Sequence, residues 1–128
     1  PDGQELVLTN TEVYGDIYAA DGGIGLTGST VNGNVLSQSG GIGLTNSSVN
    51  GSIQNQTGGI GLTNSTVNGS ISNSSGGIGL TNSDVTGDIQ NQSGGVGVIS
   101  STINGHIEAG SPDNIEIHQS TVNGQWYE

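Results

Sequence analysis

The sequence predicts an all-β protein: a right-handed parallel β-helix (β-solenoid) of seven 18-residue turns, with divergent capping turns. Three observations predict it. The dipeptide Gly-Gly starts at Gly22 and recurs every 18 residues up to Gly94, each time opening a variant of GGIGLTNSTVNGSIQNQS. Apolar residues hold four fixed places of the repeat, and the first two places are two residues apart, which is the period of a β-strand. A column of glycines separates the last two places.

The repeat leaves no room for a second domain. We expect one β-solenoid domain over residues 1–128, with a capping turn at 1–21, regular turns at 22–111 and a C-terminal capping turn at 112–128. The first turn is a degenerate copy of the repeat, and the last is displaced by one residue after Pro112. One turn cannot bury its own apolar face, so the stacked copies must share a thin, continuous core.

Four apolar columns define that core, and β-branched residues dominate three of them. They are Leu6, Ile24, Ile42, Ile60, Ile78, Val96 and Ile115; Leu8, Leu26, Leu44, Leu62, Leu80, Val98 and Ile117; Val13, Val31, Val49, Val67, Val85, Ile103 and Val122; and Ile17, Val35, Ile53, Ile71, Ile89, Ile107 and Trp126. Left-handed hexapeptide helices have an apolar residue every six positions, and the four apolar places of this repeat do not follow that spacing. The sequence therefore favours the right-handed form.

Glycine and asparagine columns indicate corners. The column Gly15, Gly33, Gly51, Gly69, Gly87, Gly105 and Gly124 predicts a corner where the backbone bends toward the axis. The Gly-Gly pairs predict a second corner with positive φ. We expect Asn46, Asn64 and Asn82, and likewise Asn55, Asn73 and Asn91, to stack at turns as buried amides that satisfy one another.

Composition excludes several functions. The chain has 11 acidic residues and no Lys or Arg, so nucleic acid, whose phosphates are bound through cations, is not an expected partner. An anionic membrane surface is excluded for the same reason. No apolar run is long enough for a membrane span, and no signal peptide is recognised. The absence of Cys removes disulfides and thiolate metal sites.

The charge is concentrated at the ends. Nine of the 11 acids lie in the first or last 21 residues, and only Asp84 and Asp88 fall in the central turns. Like charges at both ends oppose end-to-end stacking, so we expect a discrete rod that is monomeric or associates weakly side by side. Trp126 is expected to cover one end of the core.

The outward residues of the central turns form two predicted binding ladders. The first is the predicted binding face, and the second lies beside outward glycines such as Gly43 and Gly61. The first ladder comprises Thr30, Asn32, Ser48, Asn50, Thr66, Asn68, Thr102, Asn104, Thr121 and Asn123, and the second comprises Thr27, Thr45, Thr63 and Thr81. A neutral surface, a polysaccharide or ice would suit such uncharged, hydroxyl-bearing lattices.

The run GIGLTNSTVNGSI resembles the right-handed β-helical repeats of bacterial autotransporter and adhesin passengers. That resemblance implies an extracellular or cell-surface rod used for attachment or as a stalk. The V-x-G-x-I segment is similar to bactofilin turns, which implies a self-assembling filament scaffold. The Thr-x-Asn ladder also resembles the ice-binding faces of β-solenoid antifreeze proteins.

No catalytic constellation is expected. His106 and His118 hold different outward places one turn apart, so they do not converge as acid and base. Asp84 and Asp88 alternate on one face, and two carboxylates in one turn make only a weak calcium site. We therefore expect no enzyme, no cofactor and no metal. A structural or adhesive rod, an ice-binding protein and a filament scaffold stay open as functions.

Overall fold

The computed structural model describes residues 6–20, 22–110, 115–124 and 126–127, the last two by their backbone alone. This part of the chain is entirely β, with no helix. Three parallel sheets wrap around a common axis as a β-solenoid, and each sheet contains seven strands. The predicted fold class, the stacking of the repeat and the parallel pairing are confirmed.

Each turn contributes one strand to each sheet. The first sheet contains β1 (Leu6–Thr9), β4 (Ile24–Thr27), β7 (Ile42–Thr45), β10 (Ile60–Thr63), β13 (Ile78–Thr81), β16 (Val96–Ile99) and β19 (Ile115–His118). The second contains β2 (Glu12–Val13), β5 (Thr30–Val31), β8 (Ser48–Val49), β11 (Thr66–Val67), β14 (Asp84–Val85), β17 (Thr102–Ile103) and β20 (Thr121–Val122). The third contains β3 (Ile17–Ala19), β6 (Val35–Ser37), β9 (Ile53–Thr57), β12 (Ile71–Ser75), β15 (Ile89–Ser93), β18 (Ile107–Glu108) and β21 (Trp126–Tyr127).

The register places like residues over like. Ile60 pairs with Ile42 on one side and Ile78 on the other, and Val67 lies between Val49 and Val85. In the last turn the offset grows by one residue, because β16 pairs with β19 from Val96 to Ile115. This is the displacement seen after Pro112 in the sequence.

The four apolar columns form the core. Val31, Val49 and Val67 are fully buried, as are Ile53 and Ile71 in the column that faces them across the section. The first turn is less covered by the described residues, since Leu6 is 38% exposed and Val7 60%. The side chain of Trp126, expected to cover the other end, lies outside the described residues.

A buried serine column fixes the corner between the first and second sheets. Ser29, Ser47, Ser65, Ser83 and Ser101 are each at most 4% exposed. The backbone N–H of each of the first four donates to the hydroxyl oxygen of the serine in the following turn, at 3.0–3.1 Å. Each hydroxyl in turn donates to the carbonyl two residues earlier, as Ser65 does to Thr63 at 2.9 Å. The buried serine hydroxyls and the N–H groups that donate to them are thereby paired without water.

The glycine column is explained by contact between turns. A Cβ added to Gly69 would lie 2.6 Å from the carbonyl oxygen of Gly51 in the preceding turn. The corner predicted at these glycines is confirmed, and only a hydrogen fits there because the obstructing atoms belong to the neighbouring turn. At the other corner Gly58 and Gly76 have φ of 102° and 107°, which confirms the positive φ predicted for the Gly-Gly pairs.

The first asparagine column differs from the prediction. Asn46, Asn64 and Asn82 are exposed, and their backbones are left-handed with φ of 51–52°. Asparagine is the non-glycine residue that adopts this conformation most readily, so the backbone selects it. Gly28 takes the same place with φ of 58°.

The second asparagine column is buried but does not stack through its amides. Asn55, Asn73 and Asn91 are 2% exposed and lie within strands of the third sheet instead of at turns. The Nδ2 of Asn91 donates to the carbonyls of Gly76 and Gly95 at 2.9 and 3.0 Å. The amide of Asn55 has no hydrogen-bond partner among the described residues.

Candidate functional site

The second sheet carries the first predicted ladder. Its valines point inward as expected, and Ser48, Thr66 and Thr102 are half-buried on the outer side. The asparagines follow just after the strands and are exposed. Thr30 is half-buried and Thr121 exposed, while Asn32, Asn50, Asn68, Asn104 and Asn123 are all exposed. The structure therefore brings the ladder residues onto one face, with the amides more accessible than most of the hydroxyls.

The amides of this face bind one another. The Nδ2 of Asn50 donates to the Oδ1 of Asn32, and that of Asn68 donates to the Oδ1 of Asn50, both at 2.6 Å. The same bond joins Asn123 to Asn104. Thr86 replaces asparagine in the fifth turn and separates the two runs. Because each amide in a run is held by its neighbour, the face is rigid and presents its remaining donors and acceptors at fixed spacing.

The first sheet carries the second predicted ladder. Thr27, Thr45 and Thr63 are exposed and Thr81 is half-buried, and the register places them directly over one another. Their hydroxyls make no hydrogen bond to another described residue.

A file of glycines lies beside this threonine ladder. A Cβ added at Gly43, Gly61 or Gly79 would meet no atom within 4 Å, so no internal contact requires glycine there. These positions have no side chains, so the threonines stand beside bare backbone, and a hollow of about 480 Å³ lies at Gly79, Gly97 and Glu116. The bare backbone, together with the free hydroxyls, is the feature of the first sheet that bears on binding.

The third sheet has an outer face that the sequence did not lead us to assign. Its register places Tyr18, Leu36, Gln54, Ser72, Gln90 and Glu108 in one file. A second file two residues on contains Gln38, Gln56, Ser74 and Gln92. The signal was the alternation Gln-x-Gln after Ile53 and Ile89, which is interrupted by serine after Ile71 and so does not stand out as a column.

The carboxylates of the central turns do not form a metal centre. Asp16 and Asp88 lie at the glycine corner, where each accepts a hydrogen bond through Oδ1 from a backbone N–H of the next turn, Asn34 and His106 respectively, at 2.7 Å. Ser52 N–H donates to the Oδ1 of Asn34 at 2.8 Å in the same way. Within the described ranges, no three His, Asp or Glu side chains form a group that could hold a metal ion.

The remaining titratable groups are dispersed on the surface. His106 and His118 are both exposed and lie in successive turns. His106 lies at the glycine corner, and His118 lies at the end of β19 in the first sheet. Tyr14 is 79% exposed. Its hydrogen bond to Glu12 and the negative charge of the Glu12 carboxylate raise the pKa of the Tyr14 phenol above its usual value. These side chains do not converge on a common point.

Comparison with known proteins provides no relative. A scan against protein-family models, a search of curated proteins and a search of solved structures found no match to this chain. Among the residues that the structure describes, no helix is long and apolar enough to cross a bilayer.

Proposed function

We propose that the chain is a non-enzymatic rod of the extracellular space or cell surface, which attaches to a neutral surface through its repeated Thr, Ser and Asn ladders. The observation that carries this proposal is the unbroken register of the first and second sheets. Between Gly22 and Ile107 only Asp84 and Asp88 are charged, and of these only Asp84 lies in a strand. The outer faces are otherwise uncharged and periodic.

Because the repeat presents the same group many times, many weak contacts can add up to stable attachment. Successive strands in a sheet are about 4.8 Å apart, so each ladder offers the same group at that interval along the rod. A single hydroxyl or amide contributes little to binding, but groups held rigidly on one body engage a repetitive surface together. The mutual hydrogen bonds of Asn32, Asn50 and Asn68 keep the spacing fixed before contact.

The test is retention on insoluble neutral polysaccharide. We expect the protein to sediment with cellulose or chitin, and the double variant Thr45→Asp/Thr63→Asp to lose most of this retention, because exposed charge on the first sheet must be desolvated on contact. Thr57→Asp/Ser93→Asp is the matched control, since both residues are exposed at the ends of β9 and β15 and the variant adds the same charge away from the first sheet. No sedimentation of the parent protein, or equal loss in both variants, would contradict the proposal.

Ice is the second candidate surface, and the first sheet favours it specifically. Thr27, Thr45 and Thr63 are exposed in one straight file, and the glycines beside them leave their methyl and hydroxyl groups standing beside bare backbone. An ice-binding protein would produce thermal hysteresis and faceted crystals. Thr45→Asp/Thr63→Asp should abolish both effects and Thr57→Asp/Ser93→Asp should preserve them. Crystals that grow as in buffer exclude this candidate and leave the polysaccharide test unaffected.

A further inference from the structure

The side chains on the outer face of the third sheet differ in length from turn to turn. In β12 the outward residues are Ser72 and Ser74, whereas the turns on either side carry Gln54 and Gln56, and Gln90 and Gln92. The short side chains leave the middle of the face lower than its flanks. Two adjoining hollows result, of about 260 Å³ and about 440 Å³, and both are lined by Leu36, Gln54 and Ser72.

The lining of these hollows combines one aromatic end with amide and hydroxyl walls. Tyr18 closes the smaller hollow and is 59% exposed, and it pairs in register with Leu36. Gln54 and Ser72 follow along the same file, and Gln90 lines the larger hollow. At the far end, the Nε2 of Gln90 donates to the Oε1 of Glu108 at 2.8 Å, which fixes the orientation of that amide.

From this geometry we infer that the third sheet is a second binding site, a groove for a single chain of a neutral polysaccharide. A sugar ring has an apolar face, which stacks on an exposed aromatic ring such as Tyr18, and hydroxyls at its rim. Glutamine and serine each offer both a donor and an acceptor, which matches hydroxyls in either role. The larger hollow falls in the range of about 300–1,000 Å³ usual for small-ligand sites.

Charge selects the neutral class of glycan. The chain contains no Lys or Arg, so no cation can pair with the carboxylate or sulfate of an acidic polysaccharide. Glu108, which pairs with Gln90 in the next turn of the same file, would repel such groups. The site does not depend on the proposed surface attachment, because it uses a different sheet.

The test uses affinity gel electrophoresis of the full chain in gels that contain a soluble polysaccharide. The neutral probes are laminarin, xyloglucan, galactomannan and dextran, and the acidic probes are alginate and polygalacturonate. We expect retardation by at least one neutral probe and by neither acidic probe. A hydrophobic extended peptide, titrated into the protein in solution, tests the other occupant of such a groove. Tighter binding of the peptide than of every glycan would overturn the inference.

Two variants locate the binding. Ser72→Gln introduces the residue that Gln54 and Gln90 already carry in the same file, so it fills the hollow without disturbing the sheet and should abolish the retardation. Tyr18→Ala should weaken binding by about tenfold, as expected for removal of one stacking ring. Thr45→Asp/Thr63→Asp should leave the retardation unchanged. No retardation by any neutral probe, or retardation that Ser72→Gln leaves intact, overturns the inference.

Discussion

The backbone N–H of Ser47 donates to the hydroxyl oxygen of Ser65 in the next turn, at 3.1 Å, and both serines are almost completely buried. The Ser65 hydroxyl also donates to the carbonyl of Thr63. One side chain therefore satisfies a buried donor in one turn and a backbone acceptor in its own. This relationship recurs along the solenoid. Buried hydrogen bonds therefore join successive turns at the serine corner, as apolar contacts join them in the core.

Replacement of Ser65 by alanine should destabilise the protein. The variant leaves the N–H of Ser47 without an acceptor in a dry environment, which costs about 1–3 kcal/mol. Chemical denaturation measured by circular dichroism gives the free energy of unfolding. The matched control is Ser74→Ala, because Ser74 is exposed and should change stability by less than about 0.5 kcal/mol. Equal stability of the two variants would show that the serine column is dispensable.

Replacement by alanine should have different effects on the stability of the protein at two glycines that lie three residues apart. Gly76 has φ of 107°, and an added Cβ would collide with the carbonyl oxygen of Gly58, so Gly76→Ala should lower stability by at least about 2 kcal/mol. Gly79 has open space around its added Cβ, and Gly79→Ala should be neutral or slightly stabilising. Thermal denaturation of the pair tests this. A large loss in Gly79→Ala would indicate an unrecognised contact on the first sheet.

Asn64 should be replaceable by glycine but not by alanine. Its backbone is left-handed, with φ of 51°, so Asn64→Ala should cost about 1–2 kcal/mol. Asn64→Gly should remain close to the parent, since Gly28 already occupies this place in an earlier turn. The order of the two unfolding midpoints is the measurement. Equal stability of the alanine and glycine variants would contradict the backbone explanation of this column.

The buried asparagines should differ in importance although they share one column. Asn91→Ala removes two hydrogen bonds to glycine carbonyls and should cost about 1–3 kcal/mol. Asn55 has no partner for its amide among the described residues, so Asn55→Ser should change stability by less than about 0.5 kcal/mol, and Ser37 shows that serine fits this place. Urea unfolding of both variants compares them. Equal losses would contradict this account.

The periodic features of the fold could be predicted from the sequence because the repeat maps directly onto space. Once residues one repeat apart are known to stack, the inward direction of Val49 and Val67 follows from apolarity and the two-residue strand period. The Gly-Gly corner could also be predicted, because glycine adopts positive φ more readily than other residues do.

The polar columns could not be assigned in the same way. Asn64 and Asn73 are both asparagine at fixed places, yet one is exposed with a left-handed backbone and the other is buried in a strand. The difference depends on the path of the corner, which residue type does not specify. The buried serines had a signal, because serine fills that place in six consecutive turns from Ser29 to Ser120, but its partners lie in neighbouring turns and along the backbone.

The hydrogen bonds at the two corners run in opposite directions along the axis. At the serine corner the N–H of one turn donates forward to the next turn, whereas at the corner of Asn34 the N–H of Ser52 donates backward to the preceding turn. Each interior turn is therefore hydrogen-bonded to the turn before it and to the turn after it, by groups that recur at the same places of the repeat. Excision or duplication of one whole repeat rejoins the same pairs, whereas a change of any other length must be absorbed between strands, as the extra residue before β19 is. The length of such a rod therefore changes most simply by whole turns.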